Sequence, residues 1–297
     1  MMTRDLSIWW RSLRAYSFTA TLIPVLLAFL FARAQGLVVM WSLFPLMLLF
    51  ALLLHAGVNV LNDYYDFTLG FDTAEASGSS GLLLEGVVPP AYMLRWGRFY
   101  IFAGATAGLL LAALRGWPLL LAGVAATAGA WFYSNRVGFK YKGLGEPFVF
   151  VLMGPLLFDS SFYTATGTLT SEAVWPATAC GCLVTAILMV NNLRDIEMDS
   201  KGNFITLPMR LGVRRAKQVY VLLIATAFLM PVGMLSVGHF KVTVLLPLLC
   251  LPVAARMVQT VQRAVRLSVE LANGPQRNAQ LYLIFGLLLA VGLFFSL

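Results

Sequence analysis

The chain has 297 residues, of which 60% are hydrophobic and 11% are charged, with a mean hydropathy of +0.82 and a formal net charge of +8. Soluble domains carry about 25% charged residues, so this composition excludes a soluble protein and predicts an integral membrane protein. Apolar segments recur along the whole chain, and we therefore predict one polytopic domain over residues 1–297, without a separate soluble module.

Nine apolar stretches follow one another along the sequence. A transmembrane helix needs about 20 residues, and fewer where charged side chains at its ends reach the interface. By this rule the predicted spans cover residues 17–32, 37–61, 99–114, 116–135, 144–163, 173–190, 219–238, 242–257 and 280–297. The fifth is the weakest, because its strictly apolar core, residues 147–158, has the length of a re-entrant segment. The pattern predicts an all-α membrane protein with nine transmembrane helices.

The basic residues indicate an orientation. If the N-terminus is cytoplasmic, 18 Lys and Arg residues fall on the inside and only Arg33, Arg115 and Lys241 fall on the outside. This asymmetry follows the positive-inside rule and explains the net charge of +8 without nucleic-acid binding, which we do not predict. Acidic residues share the same side, since only Asp159 and Glu172 fall outside. The cytoplasmic face is therefore expected to hold both metal ions and a polyanion.

Two acidic motifs stand at the cytoplasmic ends of the second and sixth predicted spans. Residues four apart share a face of a helix, so the polar side chains of each motif are expected to form one column. The first column is Asn59, Asp63 and Asp66, and the second is Asn191, Asp195 and Asp199. Both motifs contain the pentad Asn-x-Leu-x-Asp, which indicates a degenerate internal repeat whose two copies face each other.

Clustered carboxylates repel one another unless a cation lies among them. Mg²⁺ takes oxygen ligands and keeps positions open for phosphates, so two facing acidic columns predict a site for a diphosphate bound through Mg²⁺. The alternative is that the acids are solvated helix ends paired with Arg194, Arg95 and Arg98. We apply this second interpretation to Glu197, which is expected to point away from the face of Asp195 and Asp199.

The connection between the fourth and fifth spans carries a third group of polar residues. Arg136, Lys140 and Lys142 lie among small and aromatic residues, including Tyr141, and basic side chains of this kind pair with phosphate oxygens. Bases next to a membrane also set topology or contact anionic lipid. For Arg136 and Lys140 both interpretations stay open.

Four stretches resemble a known family. Residues 59–72, 141–146, 191–199 and 206–212, with Arg14, Pro24 and the segment 84–89, resemble the UbiA superfamily of intramembrane prenyltransferases. Within it, the sequence is most similar to the 1,4-dihydroxy-2-naphthoate polyprenyltransferases of menaquinone synthesis, often called MenA. The Tyr-Lys-Gly-Leu-Gly-Glu stretch at 141–146 is the main pointer to this branch.

The resemblance implies nine helices around a central cavity in a bacterial or archaeal cell membrane, with the N-terminus and the site loops cytoplasmic. It implies Mg²⁺ as cofactor, and a polyprenyl diphosphate, an aromatic quinone precursor and membrane lipid as partners. The predicted catalytic residues are Asp63, Asp66, Asp195 and Asp199, and the predicted metal ligands are these four and Asn59. The predicted substrate-binding residues are Asn59, Asn62, Arg136, Lys140, Tyr141, Lys142, Asn191, Arg194 and Lys201.

Three alternative functions remain at this point. A prenyltransferase acting on another acceptor, such as 4-hydroxybenzoate, fits the same motifs. A membrane transporter is a second alternative, because intramembrane acids and internal repeats are common in transporters, although the acids here lie at one face and not at the midplane. A non-catalytic relative that binds isoprenoid lipid is the third, because residues 203–205 lack the lysine that relatives have shortly before Thr206, and the loop 78–82 lacks the arginine expected from close naphthoate enzymes.

Overall fold

The structure of the protein, a computed structural model, describes residues 6–72, 79–133, 135, 138–200, 205–237 and 239–296. Within these ranges the regular structure is helical, apart from one isolated parallel bridge between Lys142 and Ile205. The α-helices are α1 Leu6–Leu13, α2 Thr19–Ala34, α3 Phe44–Thr68, α4 Pro90–Arg115, α5 Trp117–Tyr133, α6 Gly145–Val151, α7 Leu157–Thr166, α8 Val174–Arg194, α9 Ile196–Asp199, α10 Leu207–Leu211, α11 Val213–Ser236, α12 Leu251–Arg263, α13 Leu267–Glu270 and α14 Gly274–Phe294. The prediction of an all-α protein is confirmed.

Seven helical runs among the described residues are long and apolar enough to cross a membrane. They are Trp41–Thr68, Pro90–Arg115, Gly145–Thr166, Ser171–Arg194, Val213–Ser236, Val242–Arg263 and Leu267–Phe294. The apolar helices α2 and α5 have 16 and 17 residues and are shorter than the usual spanning length. Each of these nine runs overlaps one predicted span. The protein is an integral membrane protein, whereas the count of nine transmembrane helices stays a prediction.

The two acidic motifs differ in backbone structure. Helix α3 continues to Thr68, so the whole first motif lies on one uninterrupted helix. The second motif crosses a break, because α8 ends at Arg194 and α9 begins at Ile196. The helix is therefore interrupted at Asp195. Its N–H still bonds to the oxygen of Asn191 at 3.1 Å, which maintains the helical spacing across the break.

The fifth predicted span contains a local widening of the helix. Helices α6 and α7 are joined by a π-helical turn over Leu152–Leu156, which contains Pro155. Proline lacks the N–H of a regular helical bond, and the wider turn accommodates it without ending the helix. The whole run Gly145–Thr166 has 22 residues and is long enough to cross the membrane.

Glycines allow two close contacts between helices. A Cβ at Gly104 of α4 would lie 2.8 Å from Leu54 Cδ2 of α3. A Cβ at Gly154, in the π-helical turn, would lie only 2.6 Å from the Cα of Gly181 in α8. Small residues permit such backbone approach in membrane proteins. These contacts hold α3 and α8, the two helices that carry the acidic motifs, against their neighbours.

Candidate active site

A cavity of about 350 Å³ lies among α2, α3, α5, the α6–α7 run, α8 and the start of α14. Its lining on α3 extends from Met47 to Asp66, a length of about 28 Å along the helix axis. Around Met47 the lining is mainly apolar, with side chains such as Leu54, Leu152 and Val184. Around Asp66 it is polar and charged. The cavity therefore has an apolar part inside the helices and a polar end at the acidic motifs.

The first motif meets the loop before α6 at Asp66. Lys140 Nζ lies 2.6 Å from Asp66 Oδ2, the Tyr141 hydroxyl donates to Asp66 Oδ1 at 2.6 Å, and Asn62 Nδ2 donates to Oδ2 at 2.7 Å. Lys140 also donates to Asn62 Oδ1 at 2.8 Å. These four predicted residues are brought together. Asn62, Asp66 and Lys140 line the cavity, and Tyr141 contacts it through Asp66.

Asp63 does not line the cavity and contacts the N-terminal segment. Its carboxylate forms an ion pair with Arg14 and accepts the backbone N–H of Ser80 at 3.2 Å, and it is 1% exposed. Arg14 itself lines the cavity. It is the only non-glycine residue of the described chain with a positive φ, 48°, a strained conformation that costs about 1–3 kcal/mol. Strain of this kind is concentrated at functional sites.

The second motif is organised by one arginine. Arg194 Nε and Nη2 donate to the two oxygens of Asp195 at 2.7 and 2.6 Å, and Nη2 also donates to Asn191 Oδ1 at 2.9 Å. This paired geometry fixes the plane of the carboxylate. Arg194, Asp195 and Asn191 line the cavity together with Asp199. Four predicted residues of this motif therefore meet at its polar end.

Electrostatic effects show that the acids of the two motifs are close together. The pKa of Asp199 is raised to about 7, mainly by burial. The negative charge of Asp195 is the next cause, Lys140 opposes it, and the charge of Asp66 raises the pKa further. Burial and the charges of Asp66 and Asp63 raise the pKa of Asp72 to about 6. Burial and the charge of Asp66 also raise the pKa of the Tyr141 phenol, which therefore stays a hydrogen-bond donor.

The donor set suits Mg²⁺, which prefers carboxylate and amide oxygens. Asp72 and Asp199 line the cavity, form no ion pair within the described ranges, and have raised pKa values, so a cation nearby would be stabilised by both. Across those same ranges, no three His, Cys, Asp or Glu side chains are close enough to hold a metal by themselves. The described residues thus fit a Mg²⁺ ion that takes part of its ligands from another molecule, and they do not form a closed metal site.

The remaining predicted substrate-binding residues have different positions. Asn59 lines the cavity, with its amide nitrogen bonded to the N-terminal segment. Lys142 is exposed and does not line the cavity, and its backbone pairs with Ile205. Arg136 and Lys201 lie outside the described residues. The substrate-binding roles of these three bases and of Asn59 stay predictions.

Two lining residues were not predicted. Asn192 and Gln276 border the cavity. Asn192 Nδ2 donates to the buried Glu146 at 2.9 Å, a contact between positions 46 residues apart that spacing alone does not reveal. His55 also borders the cavity, in agreement with its position one helical turn before Asn59 in the sequence.

An integral membrane protein with a cavity among its helices, apolar inside and rich in carboxylates and bases at one end, has the architecture of an enzyme for amphiphilic anionic substrates. The chain belongs to the UbiA prenyltransferase family, whose model matches residues 21–273. The resemblance seen in the sequence is confirmed.

Individual relatives agree with this assignment. The chain is 29% identical over 292 residues to the 1,4-dihydroxy-2-naphthoate octaprenyltransferase of Bacillus subtilis, covering 97% of this chain and 93% of that protein. It is 30% identical over 292 residues to the human UbiA prenyltransferase domain-containing protein 1, covering 95% and 82%. A UbiA homologue from Archaeoglobus fulgidus, bound to GPP and Mg²⁺, has the same fold, with a TM-score of 0.65, 16% identity, and coverage of 96% and 100%. The protein is a prenyltransferase.

Proposed function

We propose that this prenyltransferase transfers a polyprenyl group from a polyprenyl diphosphate to 1,4-dihydroxy-2-naphthoate, in menaquinone biosynthesis, with Mg²⁺. The observation that carries the proposal is the single cavity with both acidic motifs at its polar end and an apolar interior. The naphthoate octaprenyltransferase of Bacillus subtilis supports the acceptor. The Archaeoglobus fulgidus homologue with GPP and Mg²⁺ supports the donor and the metal.

The polar end would bind the diphosphate by an exchange of ionic partners. In the structure Lys140 is bonded to Asp66, and Arg194 to Asp195. No three of the described carboxylates lie close enough to hold one ion alone, so Asp66, Asp72, Asp195, Asp199 and the amide oxygen of Asn59 would share the metal with the diphosphate, and bound Mg²⁺ would neutralise the diphosphate charge. The role of Asp63, the remaining predicted ligand, stays a prediction, because its carboxylate is paired with Arg14. The two bases would then turn from the carboxylates to the phosphate oxygens. They stabilise the leaving group as the allylic C–O bond breaks.

The apolar part of the cavity would hold the isoprenoid chain and keep water from the reacting carbon. Its lining near the polar end includes Val58, Ala130 and Leu188. Exclusion of water prevents hydrolysis of the electron-deficient allylic centre before the electron-rich ring attacks it.

We further propose that residues 1–297 act as one unit with the N-terminus and the site loops in the cytoplasm. The asymmetry of 18 inside and three outside basic residues supports this orientation.

The test of the acceptor is a competition assay. Membranes containing the protein are offered 1,4-dihydroxy-2-naphthoate and 4-hydroxybenzoate with labelled prenyl diphosphates of several lengths, with Mg²⁺ or with EDTA, and products are identified by mass. We expect a prenylated naphthoquinol, formed with loss of the acceptor's carboxylate as CO₂ and release of diphosphate, only with Mg²⁺. Prenylated 4-hydroxybenzoate as the main product would assign the alternative acceptor, and no product from either acceptor would contradict the proposal.

A further inference from the structure

A hydrogen-bonded group of three side chains lies on the cavity wall, one helical turn before Asn59. The His55 ring on α3 is fixed from two sides, since Nε2 lies 3.1 Å from Ser17 Oγ and Nδ1 lies 2.7 Å from Thr21 Oγ1. All three side chains line the cavity, and none of them belongs to an acidic motif. Polar groups in an otherwise apolar wall require an explanation, because their burial is costly unless they are paired.

Asn59 is connected to this group through Ser17. Asn59 Nδ2 donates to Ser17 Oγ at 3.1 Å and to the backbone oxygen of Leu13 at 2.8 Å. These two bonds use both N–H groups of the amide. The amide therefore cannot rotate by 180° without losing them, and Oδ1 is the atom that remains for a ligand.

We infer that His55 is a positioning residue, which fixes the Ser17 hydroxyl and so keeps the carbonyl oxygen of Asn59 directed at the Mg²⁺–diphosphate; this rests on the proposed function. A neutral imidazole has one donor and one acceptor. In the tautomer that this role requires, Nδ1–H of His55 donates to Thr21 Oγ1, and Nε2 accepts the proton of the Ser17 hydroxyl, whose oxygen accepts from Asn59. Without the ring, the Ser17 hydroxyl can rotate and donate to the amide oxygen, and the bond to the backbone oxygen of Leu13 is then the one that still opposes a rotated amide.

The inference is tested by binding, not only by turnover. Purified protein in detergent is titrated with Mg²⁺ in the presence of geranyl thiodiphosphate, which resists cleavage, and the Mg²⁺ concentration at half-saturation is measured by calorimetry. Partners behind metal ligands change metal affinity by about 10–100-fold. We expect Ser17→Ala and His55→Phe each to raise the half-saturation concentration at least about tenfold, and the double variant to add little, because both remove the same constraint.

Two further variants separate positioning from a general structural role. His55→Gln returns an acceptor for the Ser17 hydroxyl and should recover part of the Mg²⁺ affinity. Ser161→Ala removes another buried hydroxyl, bonded to Leu157 O at 2.7 Å and outside the cavity lining, and should leave the affinity unchanged. Ser17→Ala removes only one oxygen, so it keeps the test valid if His55→Phe does not fold.

The outcomes are distinct. Half-saturation within about twofold of wild type in Ser17→Ala, with wild-type binding intact, overturns the role of His55 and leaves the proposed function in place. Absence of Mg²⁺-dependent binding in the wild-type protein overturns both. Additive losses in the double variant also overturn the inference, since independent residues would not share one amide.

Discussion

Lys140 and Lys142 lie two positions apart in one loop but have different surroundings. Lys140 Nζ lies 2.6 Å from Asp66 at the cavity, whereas Lys142 is exposed. Removing a positive charge that stabilises a leaving group costs roughly 100-fold or more in rate. We expect Lys140→Ala to lower kcat/KM for the prenyl diphosphate by about that factor and Lys142→Ala to change it less than about threefold. Equal losses in the two variants, measured side by side, would assign Lys142 to the site as well.

For Asn59 we predict that an added carboxylate lowers activity, although more carboxylates would be expected to favour metal binding. Asn59→Asp adds a carboxylate to a metal site, but it removes the N–H donor to Leu13 O, at 2.8 Å, and sets two oxygens against each other. We expect lower thermal stability and lower prenyl transfer. The matched control is Asn191→Asp, because Asn191 Oδ1 already accepts from Arg194 and an aspartate keeps that bond. Higher activity in Asn59→Asp than in wild type would contradict the assigned amide orientation.

The two polar columns could be predicted because helical spacing is local, and residues such as Asp66 and Asp199 do meet at one cavity. The partner of Asp63 could not be predicted. Arg14 lies 49 positions earlier in the chain, and its left-handed backbone has no signature in a non-glycine residue. Contacts of this kind depend on tertiary packing, which neither periodicity nor composition records.

At the scale of elements, the contact of the π-helical turn with α8 leaves no room for a side chain. A Cβ at Gly154 would meet backbone atoms of Gly181 at 2.6 and 2.9 Å, and backbone cannot rotate away. Overpacking costs about 1–3 kcal/mol. We expect Gly154→Ala to lower Tm and to reduce activity, because neighbouring Met153 and Leu152 line the cavity.

The control for this variant is Gly123→Ala in α5, where no atom lies within 4 Å of the added Cβ. Alanine favours a helix over glycine by about 1 kcal/mol, so this change should be neutral or slightly stabilising. An unchanged Tm in Gly154→Ala would show that the two helices separate easily at that point.

Hydropathy located the helices but not all of their ends. It placed the end of the second span at residue 61, whereas α3 continues to Thr68, because Asn62 and Asp66 find partners inside the protein and not in water. It also missed that the eighth span begins as a 3₁₀-helix over Val242–Cys250, which contains Pro247. A hydropathy average measures only how apolar a segment is. It does not depend on the partners of the polar residues or on the local hydrogen-bond pattern, which decide where these helices end and which type they are.

At the scale of the whole molecule, the orientation in the membrane makes a prediction. The three native cysteines are buried, so an introduced cysteine gives a clear labelling signal. Glu197→Cys, beside the second motif, should react with a membrane-impermeant maleimide only in inverted vesicles. Leu169→Cys, 62% exposed on the predicted outer face, should react only in right-side-out vesicles. The reverse pattern would place the site outside the cytoplasm.

The charge balance of the polar end makes stability depend on pH and on Mg²⁺ together. The folded protein holds the pKa of Asp72 at about 6 and that of Asp199 at about 7, whereas an unfolded aspartate titrates near about 3.9. A raised pKa means that the unfolded chain releases these protons first as pH rises. Both groups therefore lower stability progressively between about pH 4 and 7, and the full cost is present above pH 7.

Mg²⁺ binds the ionised carboxylates and offsets this cost, so its effect grows with pH. We expect addition of Mg²⁺ to raise Tm in detergent clearly at pH 8 and little at pH 5. In the Asp72→Asn/Asp199→Asn variant the fall in Tm between these pH values should be smaller, and the Mg²⁺ response should be weak at both. A Mg²⁺ shift of equal size at pH 5 and pH 8 would mean that these two carboxylates do not take the cation, and that the metal depends on the carboxylates already paired with Lys140 and Arg194.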